Sequence, residues 1–144
     1  MTTIAEKLLE VRQHNEPGYR PLVDFESWRV AILNFSEELL PENITRMQRH
    51  NETDEVFVLL EGKCILFLGE GGKTITAIHA LALEPGKLYN VKCGVWHHHA
   101  LSEDAKVLVV ENRDTTYDNS PFCDLTEPWL EEIRKLSREL GAKE

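Results

Sequence analysis

Apolar and β-branched residues gather in short runs through the middle of the chain, separated by polar and turn-forming residues. Eight runs are visible, at residues 28–35, 43–50, 55–60, 63–69, 73–83, 87–91, 96–101 and 105–112. Their length and composition predict β-strands. The connections are rich in Gly, Pro, Asn and Asp, and they are shorter than the roughly twelve residues that a parallel crossover needs. We therefore predict an antiparallel all-β sandwich or barrel, with its core at about residues 22–113.

Helical periodicity replaces this pattern at the two ends of the chain. At about residues 3–13, Thr3 and Glu6 have the spacing of a capping box, and Ile4, Leu8 and Val11 share one helical face. At about residues 126–140 the apolar stripe consists of Trp129, Ile133, Leu136 and Leu140. We predict a short helix at each end, the second packed on the outside of the barrel.

Composition narrows the class of protein. A chain of 144 residues with 42% hydrophobic residues is the size of one domain, residues 1–144, with a substantial core. The formal net charge of −9 disfavours nucleic acid as a partner. The three cysteines are widely spaced, which is typical of reduced thiols and not of a disulfide framework. We find neither an apolar run of about 18 residues nor a signal peptide, so we expect a cytoplasmic protein without a membrane partner.

Candidate chemistry lies on the strand at residues 43–50 and in a run of three histidines. Alternation along the first strand puts Arg46, Gln48 and His50 on one face. A single histidine on a strand is most often a surface or hydrogen-bonded residue. Here His50 is accompanied by other potential metal ligands, because Glu55 opens the next predicted strand and three histidines occupy positions 97–99.

The spacing of these residues resembles the first motif of the cupin superfamily, which has the form G-x5-H-x-H-x3-4-E-x6-G. Gln48, His50, Glu55 and Gly62 fall at its two histidine positions, its glutamate and its second glycine. The sequence departs from the motif at Glu42, which stands where the first glycine would be, and at Gln48, which replaces the first histidine.

A second stretch resembles the second cupin motif, G-x5-P-x-G-x2-H-x3-N. Gly86, Gly94 and His97 are in register with it, whereas Lys92 and Leu101 stand in place of the proline and the asparagine. Two motifs in the correct order imply a double-stranded β-helix, the cupin or jelly-roll barrel.

The resemblance implies a divalent metal held by His50, His97 and Glu55, with Gln48 as a neutral oxygen donor. Two imidazoles and a carboxylate suit Fe(II) and also accept Mn, Ni, Zn or Co, leaving positions open for substrate. An empty barrel that keeps these residues for hydrogen bonding is the alternative.

Strand alternation separates the three histidines if His97 points into the barrel as the motif implies. His98 should then point outward, and His99 should return to the interior as a candidate catalytic acid or base; an ordinary hydrogen-bonded core histidine is the alternative for His99. Arg46 is a second catalytic candidate, because a guanidinium can bind a substrate carboxylate or phosphate through two hydrogen bonds. A salt bridge at the rim of the barrel is its alternative role.

The family resemblance leaves three functions open. The first is a metal-dependent isomerase, lyase, decarboxylase or dioxygenase acting on a small, oxygen-rich, anionic metabolite such as a sugar acid or keto acid. The second is a non-catalytic cupin that binds a small ligand around a vestigial or structural metal site. The third is metal-independent sugar-nucleotide epimerisation, against which the retained His97 and Glu55 argue. We also expect a homodimer, because apolar edge strands need to be covered.

Overall fold

Ten β-strands and one α-helix make up the computed structural model, which describes residues 3–141. The strands are β1 Gly18–Phe25, β2 Trp28–Asn34, β3 Arg46–Gln48, β4 Glu55–Glu61, β5 Cys64–Glu70, β6 Ala77–Ala82, β7 Tyr89–Val91, β8 Trp96–Leu101, β9 Lys106–Asn112 and β10 Phe122–Asp124. Three short 3-10 helices lie at Glu37–Leu39, Pro41–Asn43 and Tyr117–Asn119, and helix α1 spans Glu127–Gly141.

The strands form two five-stranded sheets in which every pair is antiparallel. One sheet has the order β1-β2-β9-β4-β7 and the other the order β10-β3-β8-β5-β6. This arrangement confirms the predicted all-β barrel.

Two strands, β1 and β10, were not predicted. Strand β1 carries Pro21, lies at the edge of its sheet and shifts register between Pro21 and Val23. Proline is tolerated in an edge strand, because its missing N–H can face solvent and interrupts no hydrogen bond between strands. Strand β10 has three residues and pairs only with β3, so its conformation depends on a partner far away in the chain.

Two apolar clusters hold the sheets and the helix together. The first lies between the sheets and includes Phe57, Leu59, Leu66, Val107 and Val109. The second lies under α1 and is formed by Met47, Phe67, Trp96 and Ile133, among others. Residues that alternate along β5 and β8 therefore face the barrel interior and the helix in turn. The predicted C-terminal helix is confirmed, and its apolar stripe packs on the outer face of the barrel.

The predicted N-terminal helix is wrong. Residues 3–17 contain no helix, and the segment holds only one turn, in which the N–H groups of Leu8 and Leu9 donate to the carbonyl of Ala5. The apolar side chains of Ile4, Leu8 and Val11 are 54%, 75% and 73% exposed. A helix of about ten residues is marginal in water unless tertiary packing supports it, and in the described residues 3–141 these apolar side chains stay mostly exposed.

Two motif glycines have clear backbone roles. Gly62 adopts φ +71, and a Cβ built on it would lie 2.6 Å from the Cα of Ala105, so the turn between β4 and β5 requires glycine. Gly94 adopts φ +81, and its N–H donates to the carbonyl of His50 at 2.7 Å. That hydrogen bond joins the two motif segments. Within residues 3–141, no helix has the length and apolarity needed to span a membrane.

Candidate metal centre and its cavity

A cavity of about 710 Å³ opens beside the first apolar cluster, between the two sheets. Buried side chains, among them Phe57 and Val109, form its inner wall. Arg46, Tyr117 and Phe122 also line it and are exposed, so they form its mouth. Cavities of this size hold metabolite-sized ligands.

Three of the four predicted metal-binding side chains converge on the inner wall. His50, Glu55 and His97 are all buried, and one potential ligand atom from each lies within 4.8 Å of the other two. The carboxylate oxygen Oε1 of Glu55 lies 2.8 Å from Nε2 of His97 and 3.2 Å from Nε2 of His50. His50 lies two residues after the end of β3, Glu55 begins β4 and His97 lies at the start of β8, and the sheets bring these three positions together. This cluster could hold a metal ion.

The hydrogen bonds on the far sides of the two imidazoles assign their ring protons. Nδ1 of His97 lies 3.0 Å from the carbonyl oxygen of Val95, which can only accept. Nδ1 of His50 lies 2.7 Å from Oγ of Ser120, and that hydroxyl donates its own proton to Oδ1 of Asn119. Both Nδ1 atoms are therefore donors.

This assignment matters for what can occupy the centre. In the neutral rings both Nε2 atoms present lone pairs, and they present them to the negative carboxylate of Glu55. A cation among the three groups, or protonation of the rings, is needed to make the contacts attractive. Metal-binding histidines in proteins are oriented in this way, by donating their other ring N–H to a protein oxygen. The donor set thus fits a divalent metal.

The charges of the clustered side chains affect one another. Burial opposes ionisation of Glu55, but the hydrogen bonds with His50 and His97 outweigh burial and hold its pKa well below the usual value. Burial likewise disfavours the charged form of His97, yet Glu55 raises the pKa of that imidazole. A positive charge at the centre is therefore favoured, whether a proton or a metal supplies it.

Gln48 lies beside the cluster. It is paired with His97 across β3 and β8, and it lines the cavity. Its Nε2 donates to the carbonyl of Ser120 at 3.0 Å, so the amide oxygen is the atom that a ligand would use. A metal bond from Gln48 stays a prediction.

Sequence reasoning missed Glu111. This glutamate lies on β9 in the cavity wall, and its Oε2 is 3.8 Å from Nε2 of His50. Its other oxygen, Oε1, accepts hydrogen bonds from the hydroxyl of Tyr19 and, at 2.8 Å, from the guanidinium of Arg29. Burial, and next the charge of Glu55, raise the pKa of Glu111 to about 6. The sequence did contain a signal for Glu111. Alternation along the run 105–112 puts this carboxylate on the same face as Ala105, Val107 and Val109, which are all apolar.

His99 faces the cavity as predicted. Its ring lies 5.6 Å from that of Phe57, and its Nδ1 has no hydrogen-bond partner among the described residues. Burial, and next the charges of His98 and His97, lower its pKa to about 3, so the ring is neutral near pH 7. A catalytic role for His99 stays a prediction.

His98, which was expected to point outward with Trp96, nevertheless borders the cavity. Its ring is half-buried, lines the cavity and stacks on that of His99 at 5.1 Å with an angle of 8° between the planes. Strand β3 pairs with β8 only between Gln48 and His97, so His98 lies where that edge of β8 has no neighbouring strand. The cavity reaches the ring through this gap.

Arg46 occupies the mouth of the cavity. Its guanidinium carbon lies 3.6 Å from the centre of the Phe122 ring, a cation–π contact. Within residues 3–141 no carboxylate forms a salt bridge with it, so the predicted alternative of a rim ion pair is not observed. The ring of Phe122 also contacts Tyr117, whose side chain is 79% exposed.

Solved structures with the same architecture share little sequence with this chain. A variant of Pac13 from Streptomyces, with uridine, is 11% identical over 88% of this chain and 95% of that one, with a TM-score of 0.57. KdgF from Halomonas sp. is 17% identical over 76% of this chain and 91% of that one, with a TM-score of 0.50. A cupin-2 domain containing protein from Shewanella frigidimarina is 21% identical over 75% and 90%, with a TM-score of 0.48.

No protein-family profile matches the sequence, and no curated protein matches it significantly. At these identities the structural likenesses show the fold. The chain has the cupin fold, a double-stranded β-helix, with a candidate centre of two histidines and one glutamate on its cavity wall.

Proposed function

We propose that this protein is a metal-dependent enzyme that acts on a small, oxygen-rich, anionic metabolite of the sugar acid or keto acid type. The convergence of two Nε2 lone pairs with the Glu55 carboxylate in the cavity carries the proposal. His50, Glu55 and His97 would hold Fe, Mn, Ni, Zn or Co, with the amide oxygen of Gln48 as a further donor. A bound divalent ion supplies a Lewis acid that stabilises negative charge developing on a substrate oxygen.

The mouth of the cavity supports an anionic substrate. Arg46 presents an exposed guanidinium there without a carboxylate partner among the described residues. A guanidinium binds a carboxylate through two parallel hydrogen bonds, which would orient the substrate with its anionic end outward. Pac13, which shares the fold, is described as a nucleoside dehydratase and was solved with uridine, a small oxygen-rich ligand.

The proposed reaction is an isomerisation or an elimination, because both move a proton next to a substrate oxygen. His99 is the candidate group for this step, since its neutral ring lines the same cavity as the metal-binding side chains. Decarboxylation and dioxygenation use the same ligand set, and product analysis separates them from proton transfer.

Metal analysis of protein purified without chelators tests the centre. We expect about one metal ion per wild-type chain and little metal in the His50→Ala and His97→Ala variants, because each substitution removes one ligand. His79→Ala is the matched control, because His79 is an exposed imidazole that does not line the cavity. The proposal fails if the wild type carries no more metal than the His50→Ala/His97→Ala double variant.

A non-catalytic ligand-binding cupin is the second candidate. The observation that favours it is Gln48, which stands at a histidine position of the first cupin motif and donates its amide N–H to the carbonyl of Ser120. A thermal-shift screen with sugar acids, keto acids and phosphorylated sugars, followed by a turnover assay on each hit, separates the two. Binding without turnover favours the second candidate, and Arg46→Met should reduce the shift with anionic hits in both cases.

A further inference from the structure

Glu111 is the buried charged side chain for which the three-residue centre gives no role. It follows Val107 and Val109 at an inward position of β9, and it is 6% exposed. A carboxylate in such a place is costly unless its oxygens are satisfied.

Its two oxygens differ in their surroundings. Oε1 is held by the hydroxyl of Tyr19 and the guanidinium of Arg29. Arg29 lies directly opposite Glu111 in the β2–β9 pair, so the sheet itself fixes this contact. Oε2 is buried and receives no hydrogen bond from any donor within residues 3–141. The held oxygen keeps the other one aimed at the centre, where it lies 3.8 Å from Nε2 of His50.

That separation is typical of two atoms that share a metal ion. Ligand atoms each about 2.1 Å from one ion are about 3 to 4.2 Å apart, depending on the angle between their bonds. The 3.8 Å between Oε2 of Glu111 and Nε2 of His50 falls in this range. Without a cation, this carboxylate oxygen would face the lone pair of His50 and the negative charge of Glu55, unless the two carboxyls share a proton.

We propose that Glu111 is a further ligand of the centre, so that two histidines and two glutamates bind the metal. This inference rests on the proposed function. The second carboxylate compensates for the histidine that Gln48 replaces, and it supplies charge that a neutral amide lacks. Arg29 neutralises part of that charge from the opposite side of Glu111, which lets a second carboxylate be buried next to Glu55.

Glu111→Gln tests the ligand with little change of shape. The amide oxygen can still accept from Tyr19 and Arg29, but an NH₂ group replaces Oε2 and cannot bind a metal. Metal-stripped wild type, Glu111→Gln and Glu55→Gln are titrated with Co²⁺, recording both the affinity and the visible absorption spectrum. Tyr19→Phe is the matched control, because it removes one hydrogen bond to Oε1 and leaves the carboxylate in place.

We expect Glu111→Gln to weaken Co²⁺ binding at least tenfold and to alter the spectrum, whereas Tyr19→Phe has a smaller effect. In the metal-free protein, Glu111→Gln should change the melting temperature little, because loss of the ion pair with Arg29 offsets the removal of a buried negative charge near Glu55. The increase in melting temperature on adding Co²⁺ should shrink. If Glu111→Gln fails to fold, Glu111→Asp, which retracts the carboxylate, is expected to show the same loss of affinity.

Two results would contradict the inference. Wild-type affinity and spectrum in Glu111→Gln, together with weakened binding in Glu55→Gln, would overturn the role of Glu111 and leave the proposed function standing. A proton shared by the two carboxyls would also satisfy Oε2, and it predicts that same result. Absence of Co²⁺ binding by the wild type would overturn the proposed function and this inference together.

Discussion

Ser120 provides a sharp test of the ring-proton assignment, because its hydroxyl contacts the proposed centre only through His50. The residue is 1% exposed, and its Oγ accepts from Nδ1 of His50 at 2.7 Å while donating to Oδ1 of Asn119 at 3.0 Å. Ser120→Ala removes both hydrogen bonds and leaves the N–H of a buried imidazole without a partner. The other tautomer of His50, with its proton on Nε2, then becomes accessible, and that tautomer cannot bind a metal through Nε2.

The magnitude follows from these contacts. A lost hydrogen bond costs about 1 kcal/mol, and an unsatisfied buried donor adds about 1–3 kcal/mol, so we expect the free energy of unfolding to fall by about 2–4 kcal/mol. Loss of a hydrogen bond that orients a metal-binding histidine typically lowers metal affinity about 10- to 100-fold. We expect a loss of that size in Ser120→Ala.

Urea unfolding and Zn²⁺ or Co²⁺ titration of the same preparations measure the two quantities. Ser137→Ala is the matched control, because Ser137 is also buried and donates to the carbonyl of Ile133 at 2.7 Å, but it lies on α1 outside the cavity. It should lose stability and keep wild-type metal affinity. If Ser120→Ala also keeps wild-type metal affinity, the hydroxyl does not orient His50 and the reasoning is refuted.

Three further predictions concern the rest of the molecule. Cys93 is exposed and should react quickly with a thiol reagent at pH 8. Burial raises the pKa of Cys64 to about 12, so Cys64 should react only when urea unfolds the chain. Rapid reaction of Cys64 in the native protein would contradict this burial. Gly62→Ala should lower the free energy of unfolding by more than about 2 kcal/mol, because Gly62 has φ +71 and an added Cβ would collide with Ala105. Gly72→Ala is the control and should be nearly neutral, because its Cβ would enter open space. Equal effects of the two substitutions in urea unfolding would contradict this explanation. Light scattering should give the mass of a homodimer, and a single species of monomer mass would show that the edge strands need no partner.

Much of the fold could be predicted because its signals are local. The eight apolar runs correspond to β2–β9, since alternation and turn chemistry act within a few residues of each other. The helix at residues 3–13 failed for the complementary reason. Its capping box and apolar face are present in the sequence, but the side chains of Ile4, Leu8 and Val11 are more than half exposed, and local propensity alone does not hold so short a helix.

For the candidate site, too, local sequence patterns predicted some features and the tertiary structure decided others. The spacing in the two motifs was enough to select His50, Glu55 and His97, because motif spacing reflects positions along strands and turns. The resemblance placed His97 inward, and the side-chain period of two along a strand then placed His99 on the same face.

Only the tertiary structure decided which side chains form hydrogen bonds and ion pairs with these residues. Ser120 reaches His50 across 70 residues of chain, and Arg29 holds Glu111 across 82. Such contacts depend on which strands are neighbours, and no local pattern encodes that order. The early end of the β3–β8 pairing, which brings His98 into the cavity, has the same origin. The sequence thus determined which side chains carry the chemistry, and the pairing of distant strands decided their partners, their ring protons and the charge around them.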